Sequence, residues 1–190
     1  MKVITGKEVT TERQTGQHLH LAEFNPEEVL PLLCTKYPDF KRRKAKRAFK
    51  SPDGITYLVK MDSLRYHTFL QSRICVCCGI EGTKLMLDRQ PHDHDGGNTT
   101  HFNLYAVMDD GSLLLMTKDH KMASAKGGRN RLRNLQTMCT LCNNQKSDRE
   151  ITIQELREEM GLQIAFPQSN DGLPGGLGIV KRELCNGRDL

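Results

Sequence analysis

The sequence predicts an α+β chain whose central part is stapled by a metal ion, and three observations carry that prediction. Two C-x-x-C pairs, Cys75/Cys78 and Cys139/Cys142, are separated by sixty residues, and each pair can offer two thiolates to one tetrahedral Zn²⁺. Alternating segments at 101–107 and 113–117 flank the turn signal Asp109-Asp110-Gly111, which predicts a β-hairpin. Helix-start signals lie on either side of these: Asn25-Pro26-Glu27-Glu28 upstream and Thr152-x-x-Glu155 downstream.

Size and composition set the bounds. A chain of 190 residues has room for one ordinary core or two small ones. Only 37% of the residues are hydrophobic, 5% are aromatic and Trp is absent, so a small domain here gains from a metal staple. Seven cysteines is an odd number, and no apolar run approaches the roughly 18 residues that span a bilayer. The expectation is a cytoplasmic protein without a membrane partner. The net charge of +5 is unevenly spread: residues 41–50 hold seven Lys or Arg and no acid, and residues 119–149 hold seven Lys or Arg against two Asp. Two basic concentrations of this kind fit a polyanionic partner, nucleic acid above all.

The expected organisation is an N-terminal region at 1–70 with a basic, DNA-binding helix, a metal-stapled domain at 71–150, and a C-terminal helix with a flexible tail at 151–190. Residues 1–24 lack steady periodicity and read as a strand or a loose arm. Asn25 caps a short helix with Pro26 at its first position, ending before Pro38. Asp39 is placed to cap a second helix through Lys41, Arg42, Arg43, Lys44, Lys46, Arg47 and Lys50, with Phe40, Ala45, Ala48 and Phe49 as a partial apolar face. Seven like charges in ten residues repel one another, which favours phosphate contact over a merely solvated helix. Ser51-Pro52-Asp53-Gly54 signals a turn, 55–59 a strand and 64–70 a helix.

Beyond the first knuckle, where Gly79 suits a tight turn, 85–87 reads as a strand and 90–100 as a polar loop. That loop contains His92-Asp93-His94-Asp95, a spacing too local to converge on one ion. After the hairpin at 101–117, His120 is expected just past the strand end. Gly127 and Gly128 mark an open basic loop, 134–138 another strand, and a helix begins near Leu141. The capping box at Thr152 starts a further helix to about Met160, and the tail from Pro167 is rich in Gly, Pro and Asn.

Cys77 competes with its neighbour Cys78 for the knuckle, but adjacent residues cannot form one knuckle together, so Cys75 and Cys78 are assigned. Four thiolates leave no open position for water, which makes this ion structural. Cys34, Cys77 and Cys185 read as small buried hydrophobes.

Inside the cysteine frame stand Asp119, His120, Asn134 and Asn143. Hydrolysis of a phosphodiester needs a base for water and a cation for the developing charge. Asp119 supplies a hard oxygen suited to Mg²⁺ or Mn²⁺, Asn143 a neutral carbonyl oxygen, and His120 an imidazole with an ordinary pKa of about 6.5. In an extended segment Asp119 and His120 face opposite ways and can serve different partners. Asn134 can hydrogen-bond the loop that carries His120.

The runs 115–128, centred on Lys118-Asp119-His120-Lys121, and 134–146, with Cys139-Thr140-Leu141-Cys142-Asn143-Asn144, resemble an HNH endonuclease of the ββα-metal fold. The resemblance covers about 70–150. It implies His120 as general base, Asp119 and Asn143 as ligands of the catalytic cation, and Asn134 as the orienting asparagine. The family's final histidine is Asn143 here, a variation similar to the HNH domains of CRISPR effector nucleases, and it favours Mg²⁺ over Zn²⁺. The family's usual loop proline is missing from Lys121-Met122-Ala123-Ser124, which bears on loop stiffness. Lys121, Lys126, Arg129, Arg131, Arg133 and Lys146 are the expected phosphate contacts. The implied reaction is cleavage of DNA to 5′-phosphate and 3′-hydroxyl ends. The competing readings are a non-catalytic zinc-stabilised nucleic-acid-binding module and an RNA-directed nuclease. A homodimer that cuts both strands is compatible with the sequence.

Overall fold

The computed structural model describes residues 3–9, 18–34, 45–89 and 100–162. The expectations for Asp39 to Lys44, for His92 to Asp95, for Cys185 and for the tail lie outside these residues. In chain order the described elements are β1 (Ile4–Thr5), β2 (Leu19–Phe24), α1 (Pro26–Leu33), β3 (Lys46–Lys50), β4 (Thr56–Lys60), α2 (Leu64–Gln71), β5 (Lys84–Arg89), β6 (His101–Val107), β7 (Leu113–His120), β8 (Leu135–Cys139), α3 (Thr140–Lys146) and α4 (Ile153–Glu159).

A five-stranded antiparallel sheet in the order β2-β5-β6-β7-β8 carries the fold, with a smaller sheet β1-β3-β4 beside it. Strand alternation sorts the side chains. Leu85 and Leu87 of β5 and Phe102 and Leu104 of β6 enter the main core, whereas Met86 and Tyr105 join a smaller cluster with Leu113. In the main core, Phe102 meets Phe49 edge-on at 4.9 Å between ring centroids and Phe24 at 5.2 Å. Each such pair is worth about 0.5–1.5 kcal/mol beyond the area it buries. That aromatic trio joins the small sheet to the large one.

The helices begin as their caps direct. Asn25 Oδ1 accepts from the Glu27 amide at 2.9 Å with Pro26 in the first turn. Thr152 and Glu155 form the reciprocal capping box that starts α4.

The basic segment departs in part from the helix expected of it. Residues 46–50 form a strand, where a helix was expected, because Ser51-Pro52-Asp53-Gly54 closes a hairpin that pairs Lys46–Lys50 with Thr56–Lys60. Gly54 takes φ +86°, which glycine adopts without strain. Within β3, Phe49 is fully buried while Lys46 and Lys50 are exposed, a period of two that pairing and burial impose over any helical preference. Arg47, on the Phe49 side, is half-buried.

Two further boundaries differ. His120 is the last residue of β7, paired with Leu135, so it belongs to the strand. Asn134 ends a short 3-10 turn just before β8. The sheet also links segments expected to be separate: β2, within 1–70, pairs with β5, within 71–150, and α2 crosses residue 70. No helix among the described residues is long and apolar enough to cross a membrane.

Candidate active site

The frame of the site is built from two tight turns brought together across the fold. The ligand atoms of Cys75, Cys78, Cys139 and Cys142 all lie within 4.8 Å of one another, and all four residues are buried. Cys78 Sγ and Cys139 Sγ are 3.7 Å apart. The first knuckle is a turn in which Gly79 at φ +76° lets its N–H donate to the Cys75 carbonyl at 2.9 Å. Cys139 ends β8 and caps α3, its sulfur accepting from the Cys142 amide at 3.5 Å. The hydrogen bonds of Cys139 and Cys142 hold the Cys75 thiol below its ordinary range, while contact with Cys139 and then Cys75 pushes Cys142 up. The thiols must lose their protons before the four sulfurs can ligate a cation. These four residues could hold one metal ion, and tetrahedral sulfur suits Zn²⁺.

The clamp is bolted to its surroundings. Val76 donates to the Thr137 carbonyl of β8 at 3.0 Å, and Arg157 of α4 donates through Nε to the Cys77 carbonyl at 2.9 Å. Cys77 is buried, its sulfur 3.9 Å from Met160 Sδ.

From this frame α3 runs back against β7 and β8. Asp119 and His120, adjacent at the end of β7, face opposite ways: Asp119 is buried and His120 half-buried. Gln136, cross-strand from Asp119, donates to Oδ2 at 2.8 Å. Lys146, from the last turn of α3, brings its ammonium to 3.1 Å from each Asp119 oxygen and 2.7 Å from the His120 carbonyl. The imidazole of His120 lies on the loop side, Nε2 3.5 Å from Ser124 Oγ. Asn143 is half-buried, one residue beyond Cys142, and three residues before Lys146 on the helix. Helix residues three apart lie on neighbouring positions of one surface.

Asn134 grips the loop between β7 and β8. Its Oδ1 accepts from the Met122 amide at 3.0 Å, and its Nδ2 donates to the carbonyls of Met122 and Arg129, each at 3.1 Å. Its own carbonyl accepts from the Lys121 amide at 2.9 Å. Gly128 lies so close to the Met122 carbonyl that a Cβ would sit 1.9 Å from it, which explains a glycine there. Outside this tight turn Lys121, Lys126, Arg129, Arg131 and Arg133 are all exposed.

Lys146 departs from the expectation of phosphate contact, since it is 2% exposed and its ammonium is already held. Arg47 is half-buried, with its Nε buried. Sequence reasoning also passed over Gln136, which is found only once the β7–β8 register is known. It missed a second polar cluster as well, in which fully buried Asp88 accepts from His20 Nδ1 at 2.6 Å, Asn103 Nδ2 at 2.8 Å and Tyr105 Oη at 2.8 Å. An Asp in an otherwise apolar strand, Leu85 to Leu87 followed by Asp88, was the available signal.

No curated protein and no solved structure matches the chain. The family model for HNH endonuclease matches residues 109–149, from the hairpin turn before β7 to just beyond α3, a segment that holds Asp119, His120, Asn134, Asn143 and one of the two cysteine pairs.

Proposed function

We propose that the chain is a metal-dependent endonuclease that hydrolyses DNA phosphodiester bonds through a ββα-metal unit formed by β7, β8 and α3. The observation that carries this reading is the placement of Asp119 and His120. One strand end buries a carboxylate against α3 and leaves the neighbouring imidazole half-exposed, in a segment with five exposed basic side chains.

The donors suit a hard cation. Asp119 accepts one bond from Gln136 and shares one ammonium between its oxygens, and a carboxylate has about four lone-pair positions, so it retains capacity for an ion. Asn143 on the adjoining helix face adds an amide oxygen, and an all-oxygen set favours Mg²⁺ or Mn²⁺. Such an ion, when bound, supplies stabilisation of the charge that develops on the phosphate and the leaving 3′ oxygen.

The chain's own residues do the rest. His120 accepts a proton from water at its imidazole as the water oxygen forms its bond to phosphorus and the bond to the 3′ oxygen breaks; the departing oxygen takes a proton from solvent, leaving 5′-phosphate and 3′-hydroxyl ends. Asn134 holds the loop around that imidazole, while Lys121, Lys126, Arg129, Arg131 and Arg133 bind the backbone phosphates. Lys46 and the other basic residues at 41–47 extend the nucleic-acid contact, with Arg47 contributing least.

A plasmid assay with zinc-loaded protein and Mg²⁺ tests the proposal. Wild type is expected to convert supercoiled DNA to nicked or linear forms, and His120→Ala to lose about 10²- to 10⁴-fold of that rate. Equal rates, or duplex binding without cleavage by wild type, would favour the non-catalytic zinc module. Faster cleavage of RNA than DNA in competition would move the substrate class.

A further inference from the structure

We infer that Lys146 is a positioning residue: its buried ammonium ties the zinc-framed helix to Asp119 and to the backbone of His120, and so sets where the base stands. This rests on the nuclease reading above and adds to it a role that neither the zinc frame nor the metal ligands supply.

A lysine ammonium is strongly hydrated, and removing it from water is unfavourable unless partners replace that water. Lys146 is 2% exposed, and a methionine of similar length would fill the same space without the penalty. What only the ammonium provides is three contacts at once: both oxygens of Asp119 at 3.1 Å and the carbonyl of His120 at 2.7 Å. Those acceptors belong to two consecutive residues whose side chains point to opposite sides of the strand. A single group therefore constrains the ligand's carboxylate and the base's main chain together.

Its place in the chain of restraints gives the role. Asp119 is held by Gln136 and Lys146, His120 through its carbonyl by Lys146, Lys121 through its amide by the Asn134 carbonyl, and Met122 by the Asn134 side chain. Lys146 is the member of this series that comes from α3. The same helix begins with Cys139 and Cys142, so it is anchored by sulfur at one end and by an ammonium at the other. Through Lys146 the position of the ion clamp is passed to the strand end. A phosphate-binding lysine would instead present its ammonium to solvent, as Lys121 and Lys126 do.

The test compares Lys146→Met and Lys146→Arg with wild type in zinc-loaded protein. For Lys146→Met the account expects one zinc per chain, a kcat lowered about 10- to 100-fold, as displacement of a base by an ångström would cause, and KM within twofold. It also expects amide exchange at Lys121 and Met122 to quicken at least about tenfold, with Lys146→Arg nearer to wild type. A raised KM and a shallower salt dependence at unchanged kcat would identify a phosphate contact and overturn the inference, as would unchanged exchange at both amides. A measurement on wild type alone covers the case in which neither variant folds. The ¹⁵Nζ signal of Lys146 should show slowly exchanging protons, and exchange as fast as that of Lys121 would overturn the role. Failure of wild type to cut any nucleic acid would sink the nuclease reading, while exchange and the ammonium signal still decide the role of Lys146.

Discussion

Two buried carboxylates stand on the same five-stranded sheet, and their surroundings differ in an instructive way. Asp88, on β5, is fully buried and accepts from His20, Asn103 and Tyr105, three side chains held by neighbouring strands. Asp119, on β7, is 7% exposed, is held by Gln136 and by an ammonium from a helix, and is followed at once by a half-exposed imidazole. Asp88 sits within a strand paired on both sides, so its network fastens β2 to β5 and β6. Asp119 sits where the ladder ends and the loop begins, with the metal clamp at the far end of the adjoining helix. The lesson is that a carboxylate's role follows from what lies next to it and from whether the chain opens there.

The largest effect that would separate the two regions is removal of the metal. Chelation, or Cys142→Ser, should unfold the β7–β8–α3 region, since structural zinc sites contribute about 10 kcal/mol or more. Amide exchange should show that region losing protection before β2, β5 and β6, and simultaneous loss throughout would make the two regions one cooperative unit. Next come the carboxylates themselves. Asp88→Ala should destabilise by about 3–5 kcal/mol in urea melts, because it strands buried His20, Asn103 and Tyr105, yet leave the kcat of folded protein within a factor of about two. Asp119→Asn should instead lose about 10²-fold or more in cleavage rate, and because it leaves the buried Lys146 ammonium without its carboxylate it should also cost about 3–5 kcal/mol in urea melts. Asn134→Ala removes three side-chain hydrogen bonds to the loop and is expected to lower kcat about tenfold with KM little changed. The smallest effects belong to Arg129, Arg131 and Arg133. Each change to Ala should reduce the slope of log affinity against log salt by about one and leave saturated turnover unchanged.

Local chemistry was readable from the chain. Asn25 and Thr152 announced helix starts because a cap is a bond between near neighbours, and the two cysteine pairs announced a clamp because each knuckle is itself local. What depends on register was not readable. Gln136 becomes a partner of Asp119 only when β7 and β8 are aligned, and Lys146 turns inward only because α3 packs on β7. The stretch at 46–50 shares a sequence with a helix start at Asp39 and a partial apolar face at Phe40, Ala45, Ala48 and Phe49, but burial of Phe49 and pairing with β4 impose a strand. Pairing between residues more than sixty apart, as in β2 with β5, leaves little mark on either segment alone.

Anomalous diffraction from crystals of zinc-loaded protein soaked in Mn²⁺ tests the central claim most directly, because it locates both ions without relying on activity. The account predicts a zinc peak among Cys75, Cys78, Cys139 and Cys142 and a manganese peak at Asp119 and Asn143, with none at Asp88. Manganese absent from Asp119, or zinc away from the four sulfurs, would contradict it.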